Sequence, residues 1–179
     1  MRLAFETWGE LSPARDNAIL VLHALTGDSH VTGDAGPGHH TAGWWSDLVG
    51  PGLAIDTERY FVVAPNMLGG CQGSTGPASI APDGQEWGAR FPYLTIRDQV
   101  AAQALLADAL GVEQWAAVIG GSMGGMHALE WAIGHAERTA RVAVLAAPPF
   151  TTADQIAQNA AQIETIRMDP VSYTHLRAH

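Results

Sequence analysis

The chain has 179 residues, is 47% hydrophobic and carries a formal net charge of −9, the size and make-up of one globular domain with a buried core. The acidic balance argues against nucleic acid or an anionic membrane as a general partner, since both reward basic surfaces. All nine basic residues are arginine, so neither a Schiff-base lysine nor a Walker P-loop is encoded. A single cysteine, Cys71, excludes an internal disulfide framework. No apolar run long enough to span a membrane and no charged-then-apolar leader are present, so a cytoplasmic protein is expected.

In chain order, residues 3–9 alternate well enough for a strand, ended by Gly9 and the turn-forming Ser12-Pro13. A domain seldom begins inside its sheet, so further chain is expected upstream of Met1. Residues 18–22 are continuously apolar, which predicts a strand buried on both faces of a parallel sheet. They lead into His23-Ala24-Leu25-Thr26-Gly27-Asp28-Ser29-His30, where His23 is read as bracing its loop through hydrogen bonds. Residues 34–43, rich in Gly, Pro and His, predict an exposed loop. His30, His39 and His40 cluster here without a compact Cys/His spacing or a His-Glu-x-x-His pattern, so no metal is expected. Trp44-Trp45-Ser46-Asp47-Leu48-Val49 predicts a short helix or turn with core-packing tryptophans.

Residues 60–64 predict the next buried strand. The loop that follows, 65–77, holds Gly69, Gly70, Gly73 and Gly76, which let the backbone approach a ligand closely and make it a candidate binding wall. Thr95-Ile96-Arg97-Asp98 is a capping pattern that opens a helix to about Leu110, with Ile96, Val100, Ala107 and Leu110 on one face and Gly111 as the stop. Arg97 is read as structural.

Ala117-Val118-Ile119-Gly120-Gly121-Ser122-Met123-Gly124-Gly125-Met126 is the most informative stretch. An apolar run enters, Gly-x-Ser-x-Gly follows, and Met126, Leu129 and Ile133 continue at helical spacing to about Gly134. This predicts a nucleophile elbow with Ser122 on a sharp strand-to-helix turn. Side chains at Gly120 and Gly124 would collide with neighbouring segments, and the helix N-terminus favours negative charge developing beside the serine. An elbow belongs to an α/β-hydrolase layout, in which the loop after the third strand supplies one oxyanion-hole amide and the residue after the nucleophile supplies the other. Leu25 and Met123 are the candidate donors. A strand at 141–146 completes a βαβαβ rhythm, hence a mostly parallel, doubly wound sheet. Residues 151–167 predict a polar, alanine-rich helix, the start of a lid or a covering helix. After Pro170 the pattern stops.

Taken together, Leu22 to His30, Gly43-Trp44-Trp45, residues 66–77, Thr95-Ile96-Arg97-Asp98 and residues 120–131 resemble the homoserine O-acetyltransferase family of methionine biosynthesis. The most specific piece is Leu68-Gly69-Gly70-Cys71-Gln72-Gly73-Ser74-Thr75-Gly76-Pro77. The resemblance implies an α/β-hydrolase domain with a helical lid, usually homodimeric, and ping-pong transfer of acetyl from acetyl-CoA to L-homoserine through Ser122. It implies acetyl-CoA as co-substrate, no tightly bound cofactor and no metal, and it makes Gly69, Gly70, Cys71 and Gln72 candidate substrate-binding residues. The expected organisation is a partial core at 1–150, the start of a lid at 151–170 and a non-native tail at 171–179. The fold's chain order is Ser, then Asp or Glu, then His. None of His127, His135, His175 and His179 follows a later core strand, and Asp154 and Asp169 fall in the lid helix, so a fragment lacking the catalytic acid and base, and close to inactive, is expected. The alternatives are a succinyl donor or serine acceptor, an esterase-like hydrolase in which water resolves the acyl-enzyme, and a non-catalytic binding protein.

Overall fold

A computed structural model describes residues 1–70 and 72–169. The central sheet has five strands in the order β1 (Phe5–Trp8), β5 (Phe61–Pro65), β2 (Ala18–Leu22), β6 (Ala117–Gly121) and β7 (Val142–Leu145). β1 pairs antiparallel with β5, and the other neighbours are parallel. All five residues of β2 are buried, as a strand flanked on both sides and covered on both faces requires. Its alternation distributes them to two cores. Leu20 and Leu22 join Val63, Val118, Trp115 and Trp131 on one face, while Ile19 and Val21 join Val31, Val49, Ile55 and Val62 on the other.

The first face is covered by α1 (Ile96–Leu110) and α2 (Met123–Gly134). Thr95 and Asp98 form a reciprocal capping box at the start of α1, and Gly111 ends it at φ 72, a left-handed value that glycine adopts freely. Arg97 is structural as expected, its Nε donating to Glu130 on α2 at 2.8 Å. On the second face, Trp44 and Trp45 pack against the core, and the Trp44 indole N–H donates to the Asp28 carbonyl at 3.0 Å.

One short element departs from the sequence reading. Residues 44–48 form turns, one of the two forms expected there, but they lead into a two-stranded parallel sheet of β3 (Val49–Gly50) and β4 (Ile55–Asp56) too short to leave a period in the sequence. The loop bearing Leu25 leaves β2, the apolar run at 18–22, as the sequence reading placed it. At the far edge, Val142 and Leu145 of β7 are 37% and 43% exposed. The last element, α3 (Ala153–Met168), is capped by Thr152 and Gln155 and buries none of its residues. The residues read as a tail, 171–179, lie outside the described residues.

Candidate active site

At the end of β6 the chain reverses within one residue. Ser122 has φ 54 and ψ −119, a left-handed conformation that costs a non-glycine residue about 1–3 kcal/mol and persists only where the surroundings enforce it. They do so by hydrogen bonds and by packing. The Ser122 amide donates to the Leu145 carbonyl at 2.9 Å, and the Ser122 carbonyl accepts from the Gly125 and Met126 amides at 2.9 and 3.2 Å. A Cβ at Gly120 would overlap the Gly124 carbonyl, and one at Gly124 would overlap the Leu22 carbonyl and lie 2.9 Å from that of His23. The glycines are therefore required where the elbow helix, the elbow strand and the end of β2 meet. Ser122 itself is exposed.

The close approach at Gly124 sets the loop leaving β2 beside the first turn of α2. His23, buried in that loop, has its Nδ1 2.7 Å from the Ala24 carbonyl, and its Nε2 accepts from the Met67 amide at 3.2 Å. These partners require the Nδ1–H tautomer. Burial pushes the His23 pKa down, against the Ala24 carbonyl, Asp28 and Asn66, so the ring is a neutral brace, as the sequence reading expects. It fixes the residue before Leu25, and Leu25 itself is 77% exposed. Met123 is the first residue of α2, where helix geometry leaves amides without a partner in the helical ladder and the dipole favours negative charge.

A buried polar group lies beneath α2. The Gln103 amide nitrogen donates to His127 Nδ1 at 2.9 Å and lies 3.4 Å from the Met67 sulfur, while its oxygen accepts from the Trp131 indole at 2.8 Å. His127 therefore carries its proton on Nε2, which has no partner among the described residues. Burial, with a smaller contribution from His23, pulls its pKa down to about 4. Sequence reasoning placed His127 on the elbow helix and missed this network, because nothing in a sequence says that a glutamine on one helix faces a histidine on another. Neither His23 nor His127 hydrogen-bonds to Ser122, and Asp154 accepts from Gln158 within α3 at 2.9 Å.

The glycine-rich block does line a cavity, of about 1170 Å³, through Leu68, Gly69, Gly70 and residues 73–77, with Arg2, Trp87 and Phe91 opposite. Ser122, Leu25 and Met123 do not line it, so the structure does not bring the two sets of candidate residues into one cavity. Gly69 holds φ 81. Gln72 is exposed and is not among the lining residues, and Cys71 lies outside the described residues. A second group that sequence reasoning did not assemble sits at the β1 edge of the sheet, where Glu6 meets His30 and His39.

An exposed, strained serine between a parallel strand and a helix, beside a braced loop from the neighbouring strand, defines a nucleophile scaffold. Residues 17–165 match the alpha/beta hydrolase fold family, and the chain belongs to that family. The sequence is similar to the homoserine O-acetyltransferase of Leifsonia xyli subsp. xyli, with 72% identity over 96% of this chain and 42% of that protein. Among solved structures, the homoserine O-acetyltransferase from Bacillus anthracis superposes with a TM-score of 0.86 at 36% identity, covering 94% of this chain and 48% of that one. Esterase E22 superposes with a TM-score of 0.87 at 33% identity, covering 99% and 50%. The chain thus spans half or less of the length of these proteins. The resemblance read from the sequence agrees with these relatives.

Proposed function

We propose that this chain is the nucleophile-bearing part of a homoserine O-acetyltransferase. The reading rests on one observation above the others: an exposed Ser122 held at φ 54 on a strand-to-helix turn, in a chain 72% identical to a protein of that name. In this reading the Ser122 hydroxyl attacks the thioester carbonyl of acetyl-CoA, giving up its proton to a general base. The Leu25 and Met123 amides hold the oxyanion, and CoA departs as the thiol once its sulfur is protonated. The hydroxyl of L-homoserine then attacks the acetyl-serine ester, and O-acetyl-L-homoserine leaves as Ser122 regains its proton.

No described histidine hydrogen-bonds to Ser122, and the relatives are about twice as long. The general base and its carboxylate partner belong to the length this chain does not span. The 179-residue chain alone therefore turns over slowly, since losing a triad partner costs orders of magnitude in rate. Gly69 and Gly70, which line the cavity, form part of the substrate wall, and Cys71 and Gln72 are the further candidates beside them. Residues 1–150 are the core, and α3, which buries none of its residues, begins a lid. Acetyl-CoA is a co-substrate and no tightly bound cofactor is required. The full-length protein is a cytoplasmic homodimer acting on small molecules, without nucleic acid or membrane partners. No helix among the described residues is long and apolar enough to cross a membrane.

An esterase-like hydrolase is the second reading, favoured by the likeness to esterase E22. One assay separates the two. The full-length protein carrying these residues is incubated with acetyl-CoA, with and without L-homoserine, and thiol release is followed alongside mass spectrometry of the peptide bearing Ser122. Homoserine-dependent release through an acetylated Ser122, lost in Ser122→Ala, is expected. Release that is equal without homoserine identifies the hydrolase, and succinyl-CoA or serine working better redirects the substrate assignment. Activity surviving Ser122→Ala overturns the mechanism.

A further inference from the structure

We propose that Glu6, His30 and His39 form a binding site for one borderline divalent transition ion, of which Zn²⁺ is the type. The three donors come from separate segments: the middle of β1, the end of the loop after β2, and the glycine- and histidine-rich loop that follows. Glu6 Oε2 lies 2.9 Å from His30 Nδ1, and Glu6 Oε1 lies 3.6 Å from His39 Nε2. All of the ligating atoms fall within 4.8 Å of one another. Tetrahedral Zn²⁺, with bonds of about 2.0–2.2 Å, spaces its ligand atoms about 3.3 Å apart. The two carboxylate-to-imidazole separations run to different oxygens of Glu6 and the two rings lie nearly parallel, so seating the ion requires His39 to turn out of the stack until its Nε2 lone pair faces the ion beside His30 Nδ1.

The surroundings prepare two of the three ligands. Ser29 Oγ donates to Glu6 Oε1 at 2.8 Å, which orients the carboxylate. His30 is 8% exposed, and its Nε2 faces the Asp34 carbonyl at 3.3 Å. An imidazole holding its proton on Nε2 toward a carbonyl presents Nδ1 to a metal, the usual support for a ligating histidine. Gly33 lets the loop wrap this ring, since a Cβ there would come within 3.0 Å of His30 Cε1. The third ligand is adjustable. His39 stacks on His30 with ring centroids 3.9 Å apart and follows Gly38, which holds φ 90. The side chain of His39 is 34% exposed and that of Glu6 25%, which leaves a coordination position for water.

Two imidazoles and one carboxylate suit zinc, cobalt or nickel better than magnesium or calcium, which prefer all-oxygen shells. Without an ion the same groups form an ion pair. On binding, the metal takes the Nδ1 position and the proton held there passes to solvent. β1 lies three strands from β6 in the sheet order, so the ion takes no part in chemistry at Ser122. Its effect is a clip between the sheet edge and the loop that also carries Leu25.

The test is a calorimetric titration of the chain with zinc chloride in a non-chelating buffer, with cobalt chloride as a spectroscopic probe. Expected are one ion per chain, visible ligand-field bands with cobalt, and a higher unfolding temperature in zinc. His39→Ala, on a partly exposed loop and checked for fold by circular dichroism, should weaken binding by more than about tenfold and abolish the thermal shift. His40→Ala should bind as the parent does. Glu6→Gln should lose binding, and if it does not fold, His39→Ala decides. Wild-type and His39→Ala chains that bind zinc equally, or no saturable one-to-one binding, overturn the proposal.

Discussion

His23 Nε2 accepts a hydrogen bond from the Met67 amide at 3.2 Å across 44 residues of sequence, tying the loop after β2 to the start of the glycine-rich block. Its Nδ1 holds the Ala24 carbonyl at the same time. His23→Ala leaves a buried amide without its acceptor, a loss of about 1–3 kcal/mol. The urea midpoint should fall accordingly, and acetylation of Ser122 should slow in the full-length protein. An unchanged midpoint would remove His23 from its bracing role.

The glycines of the elbow are not equivalent. A methyl group at Gly124 meets the Leu22 and His23 carbonyls, whereas one at Gly121 meets nothing within 4 Å. Backbone atoms cannot swing aside as a side chain can, so Gly124→Ala is expected to cost more than about 2 kcal/mol or to prevent folding. Gly121→Ala should stay within about 0.5 kcal/mol of the parent. Thermal melts of the pair check this, and equal losses would contradict the packing.

Ser122 stores strain that glycine would relieve. Ser122→Gly should raise stability by about 1 kcal/mol, the strain released less the freedom gained by the unfolded chain. Ser122→Ala, with the same φ to adopt, should leave stability close to the parent. Both should abolish acetylation. A glycine variant less stable than the alanine variant would argue against a strained elbow.

His127 makes the fold sensitive to acid. Its pKa drops from the ordinary 6.5 to about 4, so between those values the unfolded chain binds more protons than the folded one and stability rises with pH. The contribution is fully present above pH 6.5 and is lost as pH falls toward 4, amounting to roughly 3 kcal/mol over the window. His23, shifted down chiefly by burial, acts in the same direction. His30 acts oppositely. Burial works against its cation, but the hydrogen bond and charge of Glu6, with Asp34 and Asp28, hold its pKa above the usual value, so its contribution is present at low pH and fades as pH rises. Denaturant midpoints from pH 7 to pH 4.5 should fall for the parent, and His127→Gln should remove more than about half of that slope. A slope unchanged in the variant would assign the acid sensitivity elsewhere.

Local rules made much of the scaffold legible. An uninterrupted apolar run as short as 18–22, bounded by polar and turn-forming residues, fits a central strand better than a helix. Thr95 with Asp98 and Gly111 bracket α1 by hydrogen bonds and φ preference within a few residues. Gly-x-Ser-x-Gly between a strand and a helix places Ser122 at a pinched turn. Each of these is settled within about a dozen residues, the range over which steric and hydrogen-bond preferences act along a chain. The long-range pairings needed the folded molecule. That Gly124 seats against Leu22, that Gln103 divides its amide between His127 and Trp131, and that Glu6 meets His30 and His39 all depend on which strands neighbour one another. Strand order is chosen by total burial across the sheet, and no local pattern encodes it.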